Sequence, residues 1–252
     1  MKYVRVARPQ GASYGLWEGD DIRLIDGDLF GPHTVTDRRI KAADARLLAP
    51  CLPSKAVCIG LNYHDHAQEM KLTLPSEPLM FLKPSSSLAD PSGPVEYPAI
   101  SQNLHYEAEM AIVIGKAARK VAAADAGRYI LGYTCANDVT ARDIQMKDGQ
   151  WTRGKSFDTF LPLGPCIVTD IDPGNLAIRL LLNDQVKQSS TTANLIFKVG
   201  DLVAFASQVM TLYPGDVILT GTPAGVGPMQ VGDSVTVEIA GIGRLTNTIV
   251  KG

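Results

Sequence analysis

No stretch constrains the fold more than His105-Tyr106-Glu107-Ala108-Glu109-Met110-Ala111-Ile112-Val113-Ile114-Gly115, a strand with no side suited to bulk water. Alternation puts Glu107, Glu109, Ala111 and Val113 on one face and Tyr106, Ala108, Met110, Ile112 and Ile114 on the other. Such a strand belongs in the interior, and carboxylates placed there need a compensating charge. Two acidic side chains roughly 7 Å apart, at about 3.3 Å of rise per residue, repel enough to raise one pKa unless a cation binds between them. A hard divalent metal answers that need most directly. The competing reading makes them solvated strand acids, the usual fate of strand carboxylates. The apolar continuation of their face weighs against it.

The rest of the chain reads as a strand-dominated globule. Its 252 residues suffice for one large domain with or without a small appendage. Residues 1–48 show short alternating segments at 3–7, 13–17 and 22–25 between Gly and Asp turns. Ala49-Pro50-Cys51-Leu52-Pro53-Ser54 reads as a linker, which predicts a small β-rich domain over 1–51 and a larger domain over 52–252. Further strands are expected at 55–60, 79–82, 106–114, 131–137, 163–169, 176–183, 216–220, 233–239 and 243–250. Helices are few: one at 199–210, stopped by Pro214-Gly215, and one at 123–129. The fold class is therefore mainly β with a few helices, an α+β arrangement. No fixed-period repeat points to a solenoid or propeller.

Charge and targeting signals narrow the partners. A net charge of −2 leaves no electrostatic footprint for nucleic acid or an anionic membrane. The N-terminus lacks the apolar core of a secretion signal, and no uncharged apolar run approaches about 18 residues, so a cytoplasmic protein is expected. Cys51, Cys58, Cys135 and Cys166 show no CxxC spacing and read as reduced core thiols.

Four polar constellations carry the candidate chemistry. Asp138 follows the apolar strand 130–136 and offers a third carboxylate beside Glu107 and Glu109, unless it is a plain turn residue. Three carboxylates without clustered Cys or His select Mg²⁺ or Mn²⁺ over zinc. If Asn62 caps a short helix, His66 and Glu69 share a face at i and i+3, where the carboxylate can set the imidazole tautomer and the pair can handle a proton. A surface His/Glu pair is the plainer reading. Zinc on His64 and His66 is disfavoured, since the two diverge by about 200° on a helix. Thr220-Gly221-Thr222-Pro223-Ala224-Gly225 can cradle an oxyanion or simply turn, and it lacks the Lys-Ser/Thr of a P-loop. Arg142 and Lys155 can each grip a carboxylate or a carbonyl beside the metal, or pair with Asp143, Asp148 or Asp158 on the surface.

In this order the motifs resemble the fumarylacetoacetate hydrolase family. The matching stretches are Ile59-Gly60-Leu61-Asn62-Tyr63 through His66-Ala67-Gln68-Glu69-Met70, Phe81-Leu82-Lys83-Pro84, Asn103 through Glu109, Asn137 through Asp143, Gly154-Lys155-Ser156-Phe157 and Thr220-Gly221-Thr222-Pro223. The resemblance spans residue 55 to the end. It implies a mixed β-sandwich roll, commonly homodimeric, with Mg²⁺ or Mn²⁺ held by Glu107, Glu109 and Asp138. It implies catalytic roles for His66, Glu69 and Lys155, with His66 and Glu69 on a lid, and substrate contacts from Arg142, Gln145, Gly221, Thr222 and Lys83. The implied substrates are 2-oxo acids and β-dicarbonyls, undergoing C–C hydrolysis, decarboxylation or isomerisation. His64 departs from the pattern, standing in the lid where short acylpyruvase-like members are expected to carry a small residue. The N-terminal segment is closer to the two-domain bacterial members. A non-catalytic metal- or small-molecule-binding protein on the same scaffold is the alternative; loss of His66, Glu69 or Lys155 would favour it, and all three are present.

Overall fold

A computed structural model describes residues 1–69 and 73–252; Met70, the last residue of the His66 motif, lies outside them. Strands dominate, in three sheets. The largest runs in spatial order His33–Lys41, Asp21–Gly27, Gly11–Glu18, Lys2–Arg8, Leu161–Val168, Ile130–Asn137, Ala108–Ile114, Val217–Leu219, Lys55–Gly60 and Leu79–Pro84. Most pairs are antiparallel, but Val217–Leu219 runs parallel to Lys55–Gly60, which makes the sheet mixed. A second sheet joins Gln185–Thr191, Ala177–Leu182, Ser234–Ile239, Gly243–Lys251 and Pro94–Tyr97, and a small third one joins Thr140–Ala141, Leu104–Tyr106 and Gly227–Met229. Ala108–Ile114 is buried at every position, in keeping with its apolar sequence on both faces. Its odd-numbered residues Ala111 and Val113 join one apolar cluster, while Met110, Ile112 and Ile114 join the other.

The N-terminal strands do not stand apart. Lys2 and Tyr3 pair with Val168 and Ile167, so the N-terminal hairpins extend the large sheet. Val4, Val6, Ile22 and Leu24 pack in the same core as Val57 and Ile112. Short alternating strands expose unpaired backbone at an edge, and joining a neighbouring sheet satisfies it. The helix expected at 123–129 is a 3₁₀ helix, Ala123–Arg128. Among the elements that went unread in the sequence are the strand Gln185–Thr191 and the short helices Arg142–Asp148 and Thr152–Lys155. Each is polar and brief, with too few apolar residues to show a period.

The 49–54 segment is tied down by one buried carboxylate. Asp216, with a fully buried side chain, accepts hydrogen bonds from the Ser54 N–H (2.9 Å), the Ser54 hydroxyl (2.7 Å) and the Tyr213 N–H (2.8 Å), and pairs with Lys55 Nζ at 2.5 Å. Burial pushes its carboxyl up, but the Lys55 ammonium and the backbone N–H groups outweigh it and hold the group below the usual carboxylate range. Asp216→Ala is expected to cost about 3–5 kcal/mol in urea unfolding at neutral pH, as for other broken buried pairs. A depressed folded-state pKa stabilises the fold above the unfolded value, near 4. That contribution disappears as pH falls through the folded value. The gap between parent and variant should therefore narrow in acid.

Candidate metal centre

The three carboxylates meet at a junction between sheets. Strand Leu104–Tyr106 belongs to the small sheet and Ala108–Ile114 to the large one, so Glu107 stands at the crossing. Ala108 pairs with Asn137 and Glu109 with Ala136, which brings Asp138 across from Glu107 and leaves Glu109 two residues along the same face. The Asn137 side chain accepts from the Glu107 N–H (2.9 Å), and the Glu107 carbonyl accepts from the Asp138 N–H (2.9 Å), fixing the crossing. One oxygen from each of Glu107, Glu109 and Asp138 lies within 4.8 Å of the others, and all three residues are buried.

Cations are shared unevenly among them. Lys155 Nζ donates to Glu107 Oε2 at 2.9 Å and to Asp138 Oδ2 at 2.6 Å, and Arg142 pairs with the other Glu107 oxygen. Burial alone would raise the Glu107 carboxyl, but Lys155 and Arg142 overcome it and hold the group at about 2. Lys155 itself is raised: burial works against its charge, and the attraction of Asp138 and Glu107 wins. Among the described residues Glu109 has no such partner. Its recorded hydrogen bond comes from the Gly221 N–H at 2.6 Å, and burial together with the charges of Asp138 and Glu107 drives its carboxyl well above the usual range. The site is thus short of positive charge beside Glu109, and its donors are all carboxylate oxygens. Both features fit a hard divalent cation held by Glu107, Glu109 and Asp138.

The remaining candidate residues divide between wall and support. A cavity of about 280 Å³ is lined by the three carboxylates with His66, Arg142, Gln145, Lys155 and Thr222. Arg142 is steadied by Gln145, whose Oε1 accepts from Nη1 at 2.7 Å. His66 Nδ1 lies 3.1 Å from Glu69 Oε2, and the Glu69 carboxylate also accepts from the Gly225 N–H at 3.2 Å. The helix His64–Glu69 therefore docks on the glycine turn. Asn62 does not cap it. Its side chain bonds the Phe197 N–H and carbonyl and the Thr220 carbonyl, because an amide can bridge two loops that a cap cannot reach. Two expected substrate contacts lie outside the cavity lining. Gly221 turns at φ +97°, where a Cβ would come within 2.8 Å of Asn62, and its N–H is committed to Glu109. Lys83 is fully buried beneath Asp138, 2.7 Å from Oδ1, and donates to the carbonyls of Val139, Lys155 and Phe160. Its ammonium staples the backbone that carries Asp138 and Lys155, and burial lowers its pKa.

Sequence reasoning missed the apolar wall. Ile59, Leu61, Phe81, Met146 and Trp151 complete the cavity, with the Phe81 and Trp151 rings in edge contact at 5.2 Å. Trp151 sits between the Arg142 and Lys155 motifs, and its place in that polar run was the one available signal. Gly60 lets it close in, since a Cβ there would meet the indole at 2.6 Å.

Residues 55–250 match the family described as fumarylacetoacetate (FAA) hydrolase, C-terminal. The chain belongs to this family. Residues 1–50 match a separate description, Rv2993c-like, N-terminal. One relative is Protein Rv2993c of Mycobacterium tuberculosis, 48% identical over all of this chain and 98% of that protein. The mitochondrial oxaloacetate tautomerase Fahd2a of Rattus norvegicus is 45% identical over 84% of this chain and 71% of its own length. The crystal structure of 2-hydroxyhepta-2,4-diene-1,7-dioate isomerase from Mycobacterium marinum superposes with a TM-score of 0.93 at 47% identity, covering 100% of this chain and 98% of that one. The isomerase thus shares this fold over nearly its whole length. Among the described residues, no helix is long and apolar enough to cross a membrane.

Proposed function

We propose that this protein is a Mg²⁺- or Mn²⁺-dependent enzyme that tautomerises or isomerises a 2-oxo dicarboxylate. The observation that carries the reading is the pairing of a carboxylate trio, whose member Glu109 has no ammonium or guanidinium against it among the described residues, with a His66–Glu69 dyad on the rim of one small, largely apolar cavity. The cation held by Glu107, Glu109 and Asp138 would supply positive charge for the 2-oxo carboxylate end and favour negative charge on the C2 oxygen.

The chain's own groups account for the rest. Lys155, kept charged by Asp138 and Glu107, offers a hydrogen bond that stabilises negative charge on the C2 oxygen while keeping its own proton. Arg142 can share its guanidinium between Glu107 and a substrate carboxylate. Glu69 takes the hydrogen of His66 Nδ1, which leaves the Nε2 lone pair to lift the enol proton and return it to C3. Phe81, Met146 and Trp151 shield that transfer from bulk water. A reaction that moves a proton and consumes no water suits such a wall, and the tautomerase and isomerase names of the relatives support it.

C–C bond hydrolysis is the second reading. Glu69 is 42% exposed, so the dyad can also reach a water. Product mass separates these two from each other and from decarboxylation: isomerisation leaves it unchanged, hydrolysis gives two fragments whose masses sum to substrate plus water, and decarboxylation releases CO₂. In D₂O, tautomerisation also places deuterium at C3. His66→Ala is expected to lower kcat by roughly 10²-fold or more, in the range for general acid–base groups, with metal affinity retained. Parental kcat in that variant would remove the dyad from the mechanism.

A further inference from the structure

Gln188 touches neither the cavity nor solvent, yet it joins two parts of the site. It stands on Gln185–Thr191 and is 1% exposed. Its Oε1 accepts from the Ala108 N–H at 2.9 Å, between the ligands Glu107 and Glu109. Its Nε2 donates to the Pro223 carbonyl at 2.8 Å and to Thr222 Oγ1 at 2.9 Å. The polarity of this amide has no freedom. A backbone N–H can only donate and a carbonyl can only accept, so Ala108 and Pro223 together dictate which end of the amide faces Thr222.

A consequence follows for the hydroxyl. Thr222 Oγ1 must accept from Gln188, so its own hydrogen points away from Nε2. Among the described residues it makes no other hydrogen bond, and Thr222 lines the cavity. We infer that Gln188 is a positioning residue that commits the Thr222 hydroxyl to act as a donor to a substrate carboxylate oxygen. This rests on the 2-oxo dicarboxylate reading above. The bond from Gln188 takes one of the two lone pairs of the hydroxyl oxygen and turns its single hydrogen away from Nε2, an orientation that suits an anion in the cavity. The bond to Ala108 also holds that donor at a set distance from the metal-ligating strand.

A double-mutant cycle tests it, run on KM for oxaloacetate and on the calorimetric dissociation constant for oxaloacetate with Mg²⁺ present. Thr222→Val, which deletes the donor with little change of shape, is expected to raise both by about 10- to 100-fold. Gln188→Met should raise both by about tenfold with kcat within about threefold, because the hydroxyl regains rotation. The double variant should match Thr222→Val within about twofold, since Gln188 acts through that hydroxyl. Penalties that multiply would assign Gln188 a scaffold role and overturn the inference alone. A parental KM and dissociation constant in Thr222→Val would overturn it together with the carboxylate role of this turn. Should Gln188→Met fail to fold, Gln188→Glu keeps the acceptor for Ala108 and runs the same cycle. A parent that binds oxaloacetate without converting it would refute the proposed reaction, while the binding arm still decides the role of Gln188.

Discussion

Glu109→Gln is expected to abolish Mg²⁺ and Mn²⁺ binding and to lower kcat/KM by roughly 10³-fold or more. The same variant should make the metal-free protein more stable at neutral pH. Both effects come from one fact: among the described residues, Glu109 is the carboxylate of the trio to which no ammonium or guanidinium is bound. Burial and the neighbouring charges of Asp138 and Glu107 raise its pKa in the metal-free fold, so the unfolded chain ionises first, near pH 4.3. Between the unfolded and folded values the native state holds the extra proton, and stability falls as pH rises. A glutamine has no proton to lose. Thermal unfolding of metal-free parent and variant across pH should show that decline in the parent only, and added Mg²⁺ should raise the Tm of the parent only. Mg²⁺-dependent stabilisation of Glu109→Gln, or full activity in a chelator-treated parent, would exclude the metal assignment.

Lys155→Met carries the second large effect. The side chain is 2% exposed and its ammonium lies between Glu107 and Asp138, so it is no surface ion pair. Methionine keeps the length and removes the charge. A loss of about two orders of magnitude or more in kcat/KM is expected if the ammonium stabilises charge on substrate; a surface pair would change it by less than about tenfold. Stripping the cation from two buried carboxylates should also cost about 3–5 kcal/mol in the metal-free protein. Adding Mg²⁺ should narrow that difference, since it returns positive charge to the same oxygens. A Lys155→Met protein as stable as the parent without metal would show that the carboxylates do not depend on this lysine.

Local pattern made part of this site legible. Glu107 and Glu109 stood out because their spacing matches the strand period while the residues around them are apolar, a conflict that only a compensating charge resolves. Asp138 was readable as the end of the neighbouring strand, and the pairing of Ala108 with Asn137 is what puts it opposite Glu107. The strand-dominated α+β fold was readable for the same reason, since alternation and turn residues are local signals. Polar elements were harder. Gln185–Thr191 holds Gln188 and also Ser190, whose hydroxyl donates to Asp65 on the His66 helix at 2.5 Å, yet nothing in its sequence distinguishes it from a loop.

Lys83 and Gly221 show where motif reading stops. Both sit in stretches that match the family, and both were expected to meet substrate. A sequence motif records which residues belong near a site, not which way a side chain or an N–H points. Lys83 points down because three carbonyls and Asp138 converge on its ammonium, and Gly221 turns its N–H to Glu109.

The sequence by itself determined the buried strand, its carboxylate pair, the strand-rich class and the family, since each depends on spacing within a few residues or on motif order. Only the tertiary structure decided how the cations divide among Glu107, Glu109 and Asp138, which apolar side chains wall the cavity, and that the first forty residues complete the large sheet. Those outcomes depend on contacts between residues far apart in the chain, where no local period constrains the partner.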